Sequence, residues 1–78
     1  MGEYLAIHMD KSVIVKESMV SESNKLKLVG FLNRKGISLG SGHELVKLIP
    51  TDDGYILDLL PYYGHPGQSV QLVRKNFE

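Results

Sequence analysis

The sequence predicts an α+β domain: an antiparallel sheet of about five strands carrying one packed helix, in the order β-β-α-β-β-β. Three features carry the prediction. Two β-branched or aromatic runs near the N-terminus are split by Asp10-Lys11, and a 3.6-residue apolar period ends at Gly36. Two further apolar runs flank Pro50-Thr51-Asp52-Asp53-Gly54. A small all-β barrel is the alternative. Lys25-Leu26-Lys27-Leu28 alternates like a strand, and Gly30 costs a helix interior about 1 kcal/mol.

Residues 4–9 and 12–16 read as a first hairpin, because the Asp10 carboxylate can bond nearby backbone N–H groups and so favours a turn. One bulged strand over 4–17 would also fit. From Glu22 to Lys35 the period is helical, with Ser21 or Ser23 available as the N-cap. At 100° per residue, Leu26, Leu28, Val29, Phe31 and Leu32 share one broad arc, with Lys27 and Arg34 opposite. Arg34 and Lys35 suit the negative end of the helix dipole. Gly36 is placed for the left-handed C′ position, which would turn Ile37 back onto Leu32 as in a Schellman cap.

Residues 44–49 and 55–60 read as a second hairpin. Pro50 cannot donate to a ladder, the two Asp favour a type I turn, and Gly54 is expected to supply a positive φ. Pro61 stops the second strand, and residues 69–74 look like a closing strand. Both strands of this hairpin carry apolar residues on both faces: Leu45 and Ile49 against Val46 and Leu48, Ile56 and Leu60 against Leu57 and Leu59. One helix covers one face only. Either the N-terminal hairpin folds over the other face, which is the expected arrangement, or that face meets a second chain.

Seventy-eight residues make a single domain spanning 1–78. With no cysteine, neither disulfides nor a Cys-based zinc site support it. Hydrophobic content of 42% with 23% charged residues is ordinary globular usage and argues against wholesale disorder. Nine cations balance nine acids, which argues against a protein living mainly on nucleic-acid phosphates. No secretory signal and no apolar run of membrane-spanning length are visible, so a cytoplasmic protein without a membrane partner is expected.

Motifs for chemistry are few. Gly36-Ile37-Ser38-Leu39-Gly40 matches G-x-S-x-G, but a nucleophile elbow needs a strand before the Ser and a helix after it, the reverse of the order here. His43-Glu44 opens like H-E-x-x-H, yet Lys47 stands where the second His belongs. His8, His43 and His65 show no ligand spacing, so neither metal nor cofactor is expected. Gly40-Ser41-Gly42 lacks the order of a phosphate-binding loop. Lys25, Lys27, Arg34 and Lys35 form a basic stretch able to rest on phosphates, or simply the solvated side of an amphipathic helix.

Pro61-Tyr62-Tyr63-Gly64-His65-Pro66-Gly67 is the unusual segment. Its two prolines stiffen it, and adjacent tyrosines offer large contact area at low entropic cost. Tyr62, Tyr63 and His65 are therefore the candidate partner-binding residues, with His65 able to add pH sensitivity near neutrality.

A helix, then Gly42-His43, a hairpin, and Pro61 before a Gly/His turn resemble the layout of HicA-type toxins, small RNA-cleaving proteins with a dsRBD-like fold. The resemblance covers about half the chain. The strands at residues 4–16, the neutral charge and the missing C-terminal helix depart from it.

Two functions follow as expectations. The first is a small intracellular, non-enzymatic regulator or inhibitor acting by protein–protein binding, with another protein or itself, as a homodimer. The second is RNA binding or cleavage, with Lys25, Lys27, Arg34 and Lys35 on phosphate, Tyr62 and Tyr63 stacking on bases, and His43 as acid or base.

Overall fold

The computed structural model describes residues 2–39, 45–61 and 66–75. Its elements are β1 (Glu3–His8), β2 (Lys11–Lys16), α1 (Lys25–Arg34), β3 (Val46–Thr51), β4 (Gly54–Leu59) and β5 (Gln68–Lys75). Short 3-10 turns at Glu17–Met19 and Glu22–Asn24 lead into α1. The five strands form one antiparallel sheet in the order β2-β1-β5-β4-β3, with α1 on one face. The chain is the predicted α+β domain. It is no barrel, because β2 and β3 are the two edges of the sheet and do not pair with each other.

The N-terminal residues form a hairpin rather than one bulged strand, closed by the His8–Lys11 pair. The hairpin does not fold over the sheet. It extends the sheet sideways, β1 pairing with β5 from Glu3–Lys75 to Ile7–Gln71. The reason lies in the two-residue period of a strand. Tyr4, Ala6, Val13 and Val15 join the α1 side of the sheet, and a strand that lay across the far face would lose that register.

The core is built from one side of every strand and the inner face of α1. Ala6, Val15, Val70, Leu72, Leu57 and Leu59 meet Leu28 and Leu32, all with no solvent exposure. Ile37 and Leu39, just after the helix, are equally buried and close the same core.

The helix starts later than the periodicity predicts. Asn24, not Ser21 or Ser23, precedes it, and no side chain caps its first N–H groups. The serines instead lie in the preceding 3-10 turn, their hydroxyl oxygens 3.4 Å apart. Leu26 is 61% exposed, outside the buried arc of Leu28, Val29 and Leu32. The C-terminus is as expected. Gly36 has φ +96°, and the Ile37 N–H donates to the Leu32 carbonyl at 3.0 Å, the six-to-one bond of a Schellman motif. The Lys11 ammonium donates to the Gly36 carbonyl at 2.8 Å, tying β2 to the negative end of the helix.

The second hairpin is tighter than predicted. Thr51 pairs with Gly54, so only Asp52 and Asp53 form the turn, and Pro50 lies within edge strand β3 opposite Tyr55. An edge strand tolerates proline because its outward N–H has no ladder partner to lose. Gly54 does not supply a positive φ. Its small size is used differently: it packs against the β5 backbone, where a β-carbon would overlap the Leu72 carbonyl.

Candidate interaction surface

The register assigns every strand residue to one of two faces. With the core residues on the α1 side, the other side carries Leu5 and Ile7 of β1, Ile14 of β2, Val73 of β5, Ile56 of β4 and Ile49 of β3. These residues stand in two adjacent rows across the sheet. One row runs Ile14, Leu5, Val73, Gly54, Thr51, and the other Ser12, Ile7, Gln71, Ile56, Ile49.

Charges close the two apolar rows at both ends. Lys16, Glu3 and Lys75 form a third row beside Leu5, and Ser69, Asp58 and Lys47 a fourth beside Ile7. Ile14 is 48% exposed and Ile49 40%, while Leu5, Ile7, Ile56 and Val73 are half-buried. Leu45, 62% exposed, extends the apolar area beyond Lys47, where its carbonyl accepts a bond from the Leu60 N–H. Among the described residues, three of the five large exposed hydrophobics (Ile14, Leu45, Ile49) thus lie on this face, and all core residues lie on the other. A contiguous apolar patch rimmed by charge is the signature of an interaction site. Sequence reasoning saw the two-faced apolar pattern in β3 and β4. It missed Leu5, Ile7, Ile14 and Val73, whose shared face is set by long-range pairing.

The predicted phosphate-binding residues do not converge. The Lys25 ammonium is spent on Glu22, at 2.6 Å. Lys35 lies over the Phe31 ring, 5.6 Å from its centre. Lys27 and Arg34 share one side of the helix, about 20° apart in projection and about 10 Å apart along the axis, with Lys25 on the far side. Tyr62, Tyr63, His65 and His43 lie outside the described residues. The neck of the tyrosine loop is described: Leu59 pairs with Gln68, and a β-carbon on Gly67 would stand 3.1 Å from the Pro61 ring. This neck stands at the Asp58–Ser69 end of the sheet.

The G-x-S-x-G match is helix-capping rather than catalytic. Gly36 is the exposed C′ residue, Ile37 and Leu39 are buried core, and Ser38 is exposed. The Asn33 side-chain oxygen accepts the Leu39 N–H at 2.7 Å, fixing how the chain leaves the helix. Among the described residues, no group of three His, Asp or Glu side chains is placed to hold a metal ion. No helix among them is long and apolar enough to cross a membrane.

One further cluster has no sequence signal. Arg74 donates to the Tyr4 hydroxyl at 3.3 Å and lies 5.6 Å from the centre of the Tyr4 ring, which itself meets Tyr55 in a tilted contact at 5.9 Å. The hydrogen bond to Tyr4, followed by the charge interaction with Tyr4, raises the Arg74 pKa above its ordinary value; desolvation opposes this, and Tyr55 and Glu17 add the smallest contributions. Arg74 is charged throughout the physiological range, so this corner is a permanent cation at the sheet end that α1 leaves open.

No protein-family model matches the sequence, and no curated protein or solved structure matches it either.

Proposed function

We propose that this chain is a non-enzymatic binding module, a small regulator or inhibitor that acts through protein–protein contact across the open face of its sheet. The observation that supports this is the apolar band of Leu5, Ile7, Ile14, Val73, Ile56 and Ile49, which the helix does not cover. Leaving six such side chains against water forfeits about 25 cal/mol for each Å² that a partner would bury. Tyr62, Tyr63 and His65 belong to the same proposal as contacts beside that face, and so does a cytoplasmic location, which accords with a chain free of cysteine.

The test is to immobilise the wild-type protein and an Ile14→Lys/Ile49→Lys variant and compare what each captures from a cell extract. Both positions are exposed, so the variant should keep its circular dichroism and melting temperature. The reading expects a specific protein held by the wild type and reduced at least tenfold on the variant. Equal capture by both would remove the sheet face from the function. Capture of RNA that weakens steeply with salt would favour the nucleic-acid reading instead.

A further inference from the structure

We propose that the occupant of the open face is a second copy of this chain, stacked face to face about a twofold axis that runs across the strands. This rests on the reading just given and names its partner.

Area is the first argument. Five strands at about 4.8 Å make the face about 24 Å wide, and strands of six to eight residues make it about 20–27 Å long. Covering it on both partners buries on the order of 1,000–1,300 Å², just above the ~1,000 Å² that a specific interface requires. There is no surplus. An occupying helix, about 10 Å across, would cover less than half the width and fall short. Another sheet of similar dimensions fills the face, and packed sheets stand about 10 Å apart with their strands some 30° from parallel. A second copy supplies such a sheet.

Charge then selects the axis. Were the twofold axis to run along β5, Lys75 would face Lys75 of the other copy, and like charges would oppose on the axis. Running across the strands, between the Leu5 row and the Ile7 row, the axis exchanges the two charged ends. Lys75 of one copy then stands over Ser69 of the other, one strand (about 4.8 Å) to the side of Asp58, close enough for the long lysine side chain to reach that carboxylate in two symmetry-related pairs. The same operation sets Leu5 over Ile7. It also sets Ile56 over Gly54.

Sedimentation velocity across 1–300 μM tests this. The wild type is expected to move from 8.7 kDa to a species of twice that mass, and Ile14→Lys/Ile49→Lys is expected to stay at 8.7 kDa. Lys75→Glu and Asp58→Lys should each weaken the dimer about tenfold or more, because each puts two like-charge pairs into the interface. The combined variant should recover most of the loss. A wild type that remains 8.7 kDa throughout overturns the proposal, and so does a dimer that the Ile14/Ile49 variant leaves intact. Failure of the combined variant to recover overturns the axis. Self-pairing and the broader reading fail separately: a monomeric wild type whose captured protein still depends on Ile14 and Ile49 refutes only the second copy, whereas capture indifferent to them refutes the binding face itself.

Discussion

Gly54 is packed against Leu72 so closely that a β-carbon on it would overlap the Leu72 carbonyl oxygen and lie 3.2 Å from the Arg74 nitrogen. The obstacle is backbone in a central part of the sheet, which cannot step aside without breaking the β4–β5 ladder. Gly54→Ala should therefore cost about 2–4 kcal/mol, read from the urea midpoint. Gly54→Asn separates this cause from a conformational one. A left-handed glycine would tolerate Asn, while a close approach rejects Asn at least as strongly as Ala.

Gly36 presents the opposite case. Its φ is +96°, yet a β-carbon there would meet nothing nearer than the Lys11 ammonium at 3.8 Å. Space is free and only the backbone conformation resists. Gly36→Ala is expected to cost about 1–2 kcal/mol, and Gly36→Asn distinctly less. Equal losses for the two would show that the Schellman geometry is not what the glycine serves.

These two glycines show what a sequence reveals and what it hides. The Gly36 role was legible because a helix end is local: basic residues, then Gly, then an apolar residue specify the cap within four positions. Gly54 was assigned a turn role because Asp-Asp-Gly is a turn signature, but the steric reason belongs to Leu72, eighteen residues away in sequence order and adjacent only after β4 pairs with β5. The candidate surface follows the same division. The two-faced pattern of residues 44–60 could be read directly, whereas the placement of residues 3–16 in the same sheet depends on a pairing between β1 and β5 across most of the chain. Alternation marks which side chains share a face of one strand. It cannot say which strand lies next.

Met9 carries the only positive φ among the described non-glycine residues, +57°, at the tip of the β1–β2 hairpin, and it is 87% exposed. A two-residue hairpin loop usually places Gly, Asn or Asp in such a conformation. Met9 holds it without any burial to offset the strain. Met9→Gly is expected to raise stability by about 0.5–1 kcal/mol, whereas Met9→Ala should change little, since Ala keeps the same strain. Thermal and urea denaturation of the three proteins decides this, and a less stable Met9→Gly would contradict it.

Arg74 and Tyr4 are joined both through the hydroxyl and through the ring face. A double-mutant cycle with Tyr4→Phe and Arg74→Met should give a small favourable coupling that reports the hydroxyl bond alone, because Phe keeps the ring. Arg74 is charged well beyond neutrality as any arginine is, and the Tyr4 hydrogen bond raises its pKa further. A group with a raised folded-state pKa stabilises below its unfolded pKa and loses that contribution only as pH climbs through the folded value. The coupling should accordingly be flat from pH 5 to 9.

Tyr62 and Tyr63 divide between fold and function if their loop is a contact beside the open face. Its neck is narrow, with Gly67 against the Pro61 ring, and proline at 61 and 66 fixes φ near both ends. Little entropy is then left to lose on binding. Neighbouring residues in an extended stretch face opposite ways, so one tyrosine is expected to face the domain and the other a partner. Tyr62→Ala and Tyr63→Ala should therefore behave differently. One should lower the melting temperature, and the other should keep the fold while costing about 2 kcal/mol or more of affinity, as residues at the centre of an interface do. The affinity is read either on the captured protein or as the dimer dissociation constant. Two variants that both melt early and both bind normally would reduce the segment to a turn, and would leave the sheet face to carry recognition alone.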